Sequence, residues 1–397
     1  MKPPAIELAD VMRGYGGQYL QLYADRMPAV HRKAIADITA CRTLAMGGTT
    51  YYCPDCQRWQ YSYHSCGNRN CNKCGHERTQ QWLEQTGKLL LPTEHFMVTF
   101  TLPGKLRRLA RSHQRLFYGL LMRCAGGALQ TLGWDSRFVG GQLAMMGVLH
   151  TWGRDLSYHP HVHMIVAAGG LWADEGLWLA GRSDFLMPVK ALSKIVAAKF
   201  RDGLKKQAPQ LFQAIDPSVW CSPWVVHCQP VGKGQAALKY LATYIFRPAI
   251  SNGRLVSLEG GIVSFRYQCS QTGRWKLCRL EAIEFIRRYL QHVLPRGFVK
   301  VRYYGLYGHR HRERLNRLRE TLDRSAADTI TPSIDQVDAP PPESPPATPS
   351  TCRSCGRTMF VVGTIPRFRP AAGWPNAPPD HGRSTRQYQS KQTTNAL

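Results

Sequence analysis

Two pairs of cysteines near the start of the chain constrain its folding more than any other feature of the sequence. Cys53-Pro-Asp-Cys56 is followed, after fourteen residues, by Cys71-Asn-Lys-Cys74. Zinc favours this spacing because two Cys-x-x-Cys turns supply four thiolates at tetrahedral angles and replace a core too small to fold alone. We therefore predict one structural zinc site made by these four cysteines, and four thiolates leave no open position for catalysis.

Other cysteines and one histidine are further candidate zinc ligands. Cys66 and His64 lie inside the loop between the two pairs, so either could replace one of the four ligands or belong to a second site. Cys352-Arg-Ser-Cys355 has no second pair after it, so it is half of a site completed elsewhere or inert. We favour the inert interpretation. Buried thiols without a metal are the alternative for the whole set.

The charge of the chain indicates a polyanionic partner. The 397 residues include 52 Lys+Arg and 26 Asp+Glu, a formal net charge of +26, and nucleic acid is the first candidate. The 43% of hydrophobic residues can form a real core, which excludes wholesale disorder. No apolar run approaches the roughly 18 residues of a membrane span, and the start of the sequence lacks a signal-peptide core. We expect a cytoplasmic protein without a membrane partner.

The pattern along the chain predicts five parts and an α+β fold. Apolar runs typical of strands alternate with amphipathic helices through most of the sequence. A Pro-rich, locally acidic stretch near the end is typical of a linker. The predicted parts are an N-terminal helical segment (1–45), a zinc-binding domain (46–80), a catalytic domain with a basic helical C-terminal part (81–324), the linker (325–350) and a mostly disordered tail (351–397).

A strand rich in histidine predicts a second metal site. In His159-Pro-His161-Val-His163, side chains alternate between faces, so His161 and His163 point the same way and can chelate one divalent ion. His150, which ends an apolar run, fits a neighbouring strand as the third ligand, whereas Pro160 places His159 at the strand entrance. Three histidines could equally form a zinc hydrolase site or only a polar strand face.

Two tyrosines share one face of a predicted helix. Tyr240 and Tyr244 are separated by four residues within the amphipathic stretch 237–247. Tyrosines at this spacing most often pack in a core. Beside a metal site they become candidate nucleophiles, because a cation that polarises a phosphodiester makes attack by a phenolate feasible.

The order of these motifs resembles the HUH endonucleases, which are named for a histidine–hydrophobic–histidine strand followed by a tyrosine helix. It is most similar to the two-tyrosine rolling-circle transposases of the insertion-sequence ninety-one family, relatives of Helitrons. The resemblance covers about residues 40–310. The matching pieces are Cys53–Cys74, Phe96–Pro103, His150–Trp152, His159–His163, Gly169–Gly170, Lys239–Asn252 and Glu284–Phe298.

The resemblance implies a compact HUH-type domain with a central antiparallel sheet and flanking helices, preceded by a small zinc-binding domain. It implies cleavage and strand transfer of single-stranded DNA through a 5′-phosphotyrosine, with Tyr240 and Tyr244 as catalytic residues and Mg²⁺ or Mn²⁺ as the catalytic ion beside a structural Zn²⁺. Related relaxases favour His150 over His159 as third ligand. The implied partners are the ends of a mobile element, the target DNA and, since no phosphate loop is present, a host helicase. The implied location is the bacterial nucleoid.

A set of arginines predicts the DNA-binding surface, although basic helices are often only a solvated face. These arginines are Arg247, Arg287, Arg288, Arg302 and Arg310.

Two other functions also fit parts of the sequence. A replication initiator or relaxase of the HUH class shares the histidines and tyrosines, but the zinc module ahead of the first strand argues against it. A non-catalytic zinc-ribbon DNA-binding protein would leave the histidines and tyrosines without a function.

Overall fold

The structure is a computed structural model, and it describes residues 6–74, 76–172, 176–233, 236, 238, 248–269, 271–327 and 351–368. Its helices are α1 (Leu8–Tyr23), α2 (Ala29–Ala40), α3 (His76–Gly87), α4 (Arg107–Ser112), α5 (Gln114–Gly133), α6 (Val189–Gln207), α7 (Pro209–Gln213), α8 (Ser218–Cys221), Ala282–Leu290 and Arg312–Ala327. Its strands are β1 (Gly48–Cys53), β2 (Arg58–Tyr63), β3 (Glu94–Thr101), β4 (Gln142–Trp152), β5 (Tyr158–Leu171), β6 (Trp178–Ala180), β7 (Val226–Lys233), β8 (Leu255–Glu259), β9 (Ile262–Gln268), β10 (Trp275–Glu281), β11 (Val301–Gly305) and β12 (Phe360–Ile365).

A six-stranded antiparallel sheet lies at the centre of the fold. Its strands follow the order β11-β4-β5-β3-β7, and the short β6 pairs with β5. β4 and β5 are buried along most of their length because helices cover both faces of the sheet. The prediction of an α+β fold with a central antiparallel sheet and flanking helices is confirmed.

The two faces of this sheet have different coverings. Even-numbered residues of β3 and β5, such as Phe100 and Val162, pack against α5 and α6 in the largest core. Odd-numbered residues of the same strands, such as Met97 and Ile165, lie on the opposite face. They pack in a second core with side chains of α3 and of the helix Arg312–Ala327. Since strand side chains alternate, the residue number alone tells which layer a β3 or β5 side chain contacts.

The N-terminal helices form a third core with residues from much later in the chain. The apolar faces of α1 and α2 pack against β9 and the helix Ala282–Leu290. The predicted N-terminal helical segment (1–45) contains α1 and α2. It shares its core with residues of the predicted catalytic domain (81–324), because neither pair of elements can bury its apolar face alone. None of the described helices combines the length and apolar composition that crossing a bilayer requires.

The last described segment differs from the predicted tail. Residues 351–368 contain β12, which pairs antiparallel with β1 in a three-stranded sheet of order β12-β1-β2. The prediction of a mostly disordered tail over 351–397 is therefore wrong for residues 351–368. The apolar stretch Phe360–Ile365 forms this strand, and its backbone pairs with β1. Residues 369–397, and residues 328–350 of the predicted linker, lie outside the described residues.

A glycine at the end of β11 permits a close approach between β11 and β4. Gly305 has φ 55°, and a Cβ added there would lie 1.8 Å from the carbonyl oxygen of Leu143. We predict that Gly305→Ala lowers the free energy of unfolding by at least about 2 kcal/mol, because backbone must move and φ is unfavourable. Denaturant unfolding measures this change. Gly104→Ala, which meets nothing within 4 Å, is the control, and equal stabilities of the two variants would contradict the prediction.

Candidate metal centre

Strand pairing brings three histidines to one face of the central sheet. His150 of β4 lies directly opposite His161 of β5. His163, two residues further along β5, lies opposite Thr99 of β3. Because residues paired across antiparallel strands share a face, His150, His161 and His163 project to the same side. We call these three residues the histidine site.

The imidazoles of the histidine site are close enough to bind one ion. Their ligand atoms all lie within 4.8 Å of one another. The ring centres of His161 and His163 are 4.8 Å apart, and those of His150 and His163 are 4.9 Å apart. Metal–nitrogen bonds of about 2.0–2.2 Å would bridge such atoms after small ring rotations. The structure thus brings the three predicted ligands together, and their binding of a metal stays a prediction.

Hydrogen bonds orient two of these rings. Nδ1 of His161 lies 2.6 Å from the carbonyl oxygen of His159, to which it donates its proton. This leaves Nε2 of His161 as the ligand atom. Nδ1 of His163 lies 3.0 Å from Oγ1 of Thr99, which occupies the adjacent position on β3. Such outer contacts commonly select the tautomer of a metal ligand.

The surroundings keep these imidazoles neutral, which is the form that binds metals. Burial lowers the pKa of His161 to about 4. Burial also lowers the pKa of His163 well below its ordinary value, with a further contribution from His161. At neutral pH both rings therefore have their lone pairs available.

His159 takes no part in the histidine site. Its Nδ1 accepts a hydrogen bond from Nη2 of Arg107 at 2.6 Å. The three grouped rings are those of His150, His161 and His163. The geometry therefore agrees with the preference for His150 as the third candidate ligand.

Lys300 is a further functional candidate that the sequence did not single out. Its Nζ lies 5.0 Å from the ring centre of Trp152, and that ring stacks on His150 with centres 4.6 Å apart. Burial, followed by the charge of Arg69, lowers the pKa of Lys300 to about 7. Lys300 was only one member of a basic run in the sequence, since the pairing of β11 with β4 that brings it here is long-range.

Positive charge therefore surrounds the histidine site. The charges of Lys300 and Arg107 both contribute to lowering the pKa of His161. Arg69 lies beside them and donates from Nη1 to the carbonyl oxygen of Phe298 at 2.8 Å. Arg69 and Arg107 are charged at neutral pH. Lys300, with a pKa of about 7, is partly charged, so this edge favours an anionic ligand such as a phosphate.

The arginines predicted to bind DNA have varied surroundings. Arg287 and Arg288 both pair with Glu284, at 2.5 and 2.8 Å, so part of their charge is already neutralised. The guanidinium of Arg302 lies 5.3 Å from the ring centre of Phe298. Arg310 is exposed, and Arg247 lies outside the described residues. Their contact with DNA stays a prediction.

Both predicted nucleophiles, Tyr240 and Tyr244, lie outside the described residues. The nearest described side chain on their predicted helix is Leu238, which is buried. Leu238 belongs to the same core cluster as Met97 and Ile165, which lie on the histidine face of the sheet. The chain therefore reaches this face two residues before Tyr240.

The cysteines form two groups, and the predicted single zinc site is wrong in its grouping. Cys71 and Cys74 lie with Cys41 and Cys66, whereas Cys53 and Cys56 lie with Cys352 and Cys355. The β1–β2 hairpin takes the first pair to the far end of its sheet, while the following loop returns the second pair to the end of α2. We call Cys41, Cys66, Cys71 and Cys74 the inner cysteine group, and Cys53, Cys56, Cys352 and Cys355 the outer cysteine group.

The inner cysteine group uses one of the two extra ligands that we considered. Sγ of Cys74 lies 3.4 Å from Sγ of Cys41 and 3.5 Å from Sγ of Cys66. His64 is exposed and belongs to neither group. The sequence analysis missed Cys41 because it precedes the cysteine-rich stretch, and its only local signal is its position directly after α2.

Comparison with known proteins agrees with these observations. A family model described as "Transposase zinc-binding domain" matches residues 11–102, and one described as "Putative transposase" matches residues 144–314. No solved structure matches the chain significantly.

Two relatives share much of the sequence. The "Putative transposase y4qJ" of Sinorhizobium fredii is 35% identical over 84% of this chain and 87% of its own length. The "Transposase for insertion sequence element IS801" of Pseudomonas savastanoi pv. phaseolicola is 28% identical over 70% of each chain. The family model assigns a zinc-binding domain to the region that holds the inner cysteine group. The resemblance found in the sequence is confirmed, and the chain belongs to the IS91 family of insertion-sequence transposases.

Proposed function

We propose that this transposase works by a rolling-circle mechanism, cutting single-stranded DNA at the ends of its mobile element and transferring it through a 5′-phosphotyrosine. The observation that carries the proposal is the convergence of three imidazoles on one sheet face, within 4.8 Å of one another. A cationic edge beside them suits a DNA backbone. This arrangement makes catalysis a better explanation than a DNA-binding role alone.

The histidine site fits a divalent ion. Three imidazole donors on one side of a sheet would leave coordination positions open for water and phosphate oxygens. Imidazole donors favour a transition ion over Mg²⁺, so Mn²⁺ is the first ion to test. When bound, such an ion would polarise the phosphodiester and offset its developing charge. His159 and Thr99 serve to hold two of the rings in their ligand orientation.

Chain geometry supports the tyrosines as nucleophiles. Lys233, at the end of β7, pairs with Glu94, whereas His163 pairs with Thr99, about 17 Å further along β3. The segment that carries Tyr240 and Tyr244, which lies outside the described residues, must therefore cover about 17 Å along this face to bring a phenol to the histidine site. Burial of Leu238 in the cluster that contains Met97 and Ile165 puts the chain on this face two residues before Tyr240.

The proposed reaction is a transesterification. A tyrosine loses its phenolic proton and its oxygen attacks the phosphorus, while the bond from phosphorus to the 3′-oxygen breaks. The 3′-oxygen leaves with a proton as a free hydroxyl, and the 5′-phosphate stays on the tyrosine. The new ester retains the energy of the cleaved phosphodiester bond, so a 3′-hydroxyl on target DNA can later displace the tyrosine without ATP. With two tyrosines, one can cut the donor strand and the other the target strand.

Three cationic side chains would hold the scissile strand. Lys300 lies on the histidine side through its contact with Trp152, and Arg69 lies beside it. Arg107 lies near the site through its hydrogen bond to His159. We propose that they contact successive phosphates, while the predicted arginines, Arg302 and Arg310 included, extend the binding surface. A host helicase would supply the single strand at the bacterial nucleoid.

The nucleophile assignment predicts a covalent DNA adduct. With a single-stranded oligonucleotide carrying the element end and Mn²⁺, we expect an adduct on denaturing gels that EDTA prevents. Tyr240→Phe combined with Tyr244→Phe removes both phenolic oxygens and should abolish the adduct. Tyr23→Phe, on the exposed end of α1, is the control and should leave it unchanged. An adduct that persists in the double variant would refute the assignment.

The role of the histidine site predicts a separation of cleavage from binding. His161→Ala removes one proposed ligand, so we expect cleavage to fall by at least roughly 100-fold. Binding of the oligonucleotide, measured by fluorescence anisotropy, should change by less than about twofold, because phosphate contacts dominate it. His113→Ala, at the exposed start of α5, is the matched control. Parallel loss of cleavage and binding would instead indicate a structural role.

The position of Lys300 predicts an effect on both rate and salt dependence. Lys300→Met keeps most of the length of the side chain and removes its charge. We expect cleavage to slow by about 10–100-fold and the slope of log affinity against log salt to fall by up to roughly 0.7, the full value requiring a charged amine. Lys276→Met, on the exposed edge of β10, is the control. An unchanged cleavage rate would exclude Lys300 from the scissile phosphate.

A further inference from the structure

The outer cysteine group has the geometry of a metal site although half of it comes from the end of the chain. Its four sulfur atoms lie within 4.8 Å of one another. Sγ of Cys53 lies 3.7 Å from Sγ of Cys355, which is 302 residues away in sequence. Zinc–sulfur bonds of about 2.3 Å place two tetrahedral ligands about 3.8 Å apart, whereas a disulfide requires about 2.05 Å.

The two halves of the outer cysteine group are built alike. Backbone N–H groups of Asp55 and Cys56 donate to the thiol of Cys53. In the other half, the backbone N–H groups of Ser354 and Cys355 donate to Cys352. The two halves therefore share one N–H···S pattern, which points from the turn of each Cys-x-x-Cys pair toward its first sulfur.

The backbone that follows each pair also matches. The residue after the second cysteine has a positive φ in both halves, 51° at Gln57 and 73° at Gly356. The inner cysteine group, which lies in the family's zinc-binding domain, shows the same feature at Arg42 and Gly67, with φ 56° and 63°. A non-glycine residue in this region is uncommon. A residue with positive φ therefore directly follows cysteines of both groups.

Contacts around the outer cysteine group hold the two halves in register. Nη1 of Arg58 donates to Oγ of Ser354 at 3.0 Å, and Nη1 of Arg357 donates to Oδ1 of Asp55 at 2.7 Å. An arginine of each half thus donates a hydrogen bond to a side chain of the other half. Beneath them, Cys53, Cys352 and Met359 form a buried cluster. So small a core needs an additional cross-link to be stable.

We infer that the outer cysteine group binds a second structural zinc ion, which fastens residues 351–368 onto the zinc-binding domain. Cys352 and Cys355 lie outside residues 11–102, to which the family's zinc-binding domain is assigned. The ion completes a ribbon in which β12 is the third strand beside β1. Four thiolates close the coordination shell, so this zinc is structural and takes no part in DNA cleavage. The inference does not depend on the proposed cleavage mechanism.

Metal analysis of the full-length protein tests this inference. We expect the Cys352→Ser, Cys355→Ser variant to contain about one zinc ion per chain fewer than the wild type, whatever ion the histidine site holds, and no iron in either protein. The control is Cys221→Ser with Cys269→Ser, which removes two thiols outside both groups and should keep the zinc content of the wild type. Equal zinc contents of the wild type and the Cys352/Cys355 variant would overturn the inference. Iron in place of zinc would overturn the identity of the ion.

Thiol alkylation of the wild type gives a second test that does not require a variant to fold. Cys355 is exposed, as is Cys221, so without a metal both should react rapidly with iodoacetamide. We expect peptide mapping to find Cys221 modified and Cys355 protected, until a zinc chelator makes Cys355 as reactive as Cys221. Modification of Cys355 at the rate of Cys221 before chelation would contradict a zinc site there.

Discussion

The register between β4 and β5 is the constraint on which the histidine site depends. His150 can meet His161 only because backbone hydrogen bonds pair these two positions directly. A slip of one residue would turn the histidines of β5 into the layer filled by α5 and α6, where apolar side chains surround Val162. The apolar residues between the histidines oppose such a slip, since they would have to leave that core. Apolar packing on one face of the sheet therefore fixes the positions of the histidines on the other face.

The zinc-binding region also borders this site. The loop that carries the inner cysteine group presents Arg69, whose hydrogen bond to Phe298 ends next to Lys300. The same loop accepts a hydrogen bond from the buried Tyr289 at the backbone oxygen of Asn70. Zinc in the inner cysteine group would therefore stabilise one border of the proposed DNA-binding surface as well as its own small domain. This gives a physical reason for a zinc module ahead of the strands that carry the histidines.

Distant parts of the chain meet repeatedly in this fold. α1 and α2 share a core with the helix Ala282–Leu290, β11 adds to the edge of β4, and β12 adds to β1. Each contact closes a long loop, which costs chain entropy that only a large buried area or a metal can offset. The apolar cores serve this purpose for the first two. The outer cysteine group serves it for β12, where the buried cluster is small.

The sequence alone determined what local periodicity and local spacing can specify. Alternation placed His161 and His163 on one face, the cysteine pairs indicated zinc, and the order of motifs identified the family. Tertiary structure decided which distant pieces meet. The pairs Cys53/Cys56 and Cys352/Cys355 make similar turns, but the sequence of a pair does not encode its partner. Cys352 and Cys355 therefore looked inert although they lie against Cys53 and Cys56. Lys300 was likewise one cation among many until the pairing of β11 with β4 brought it to the histidines. Such choices are made by packing across the whole molecule, which no short stretch of sequence contains.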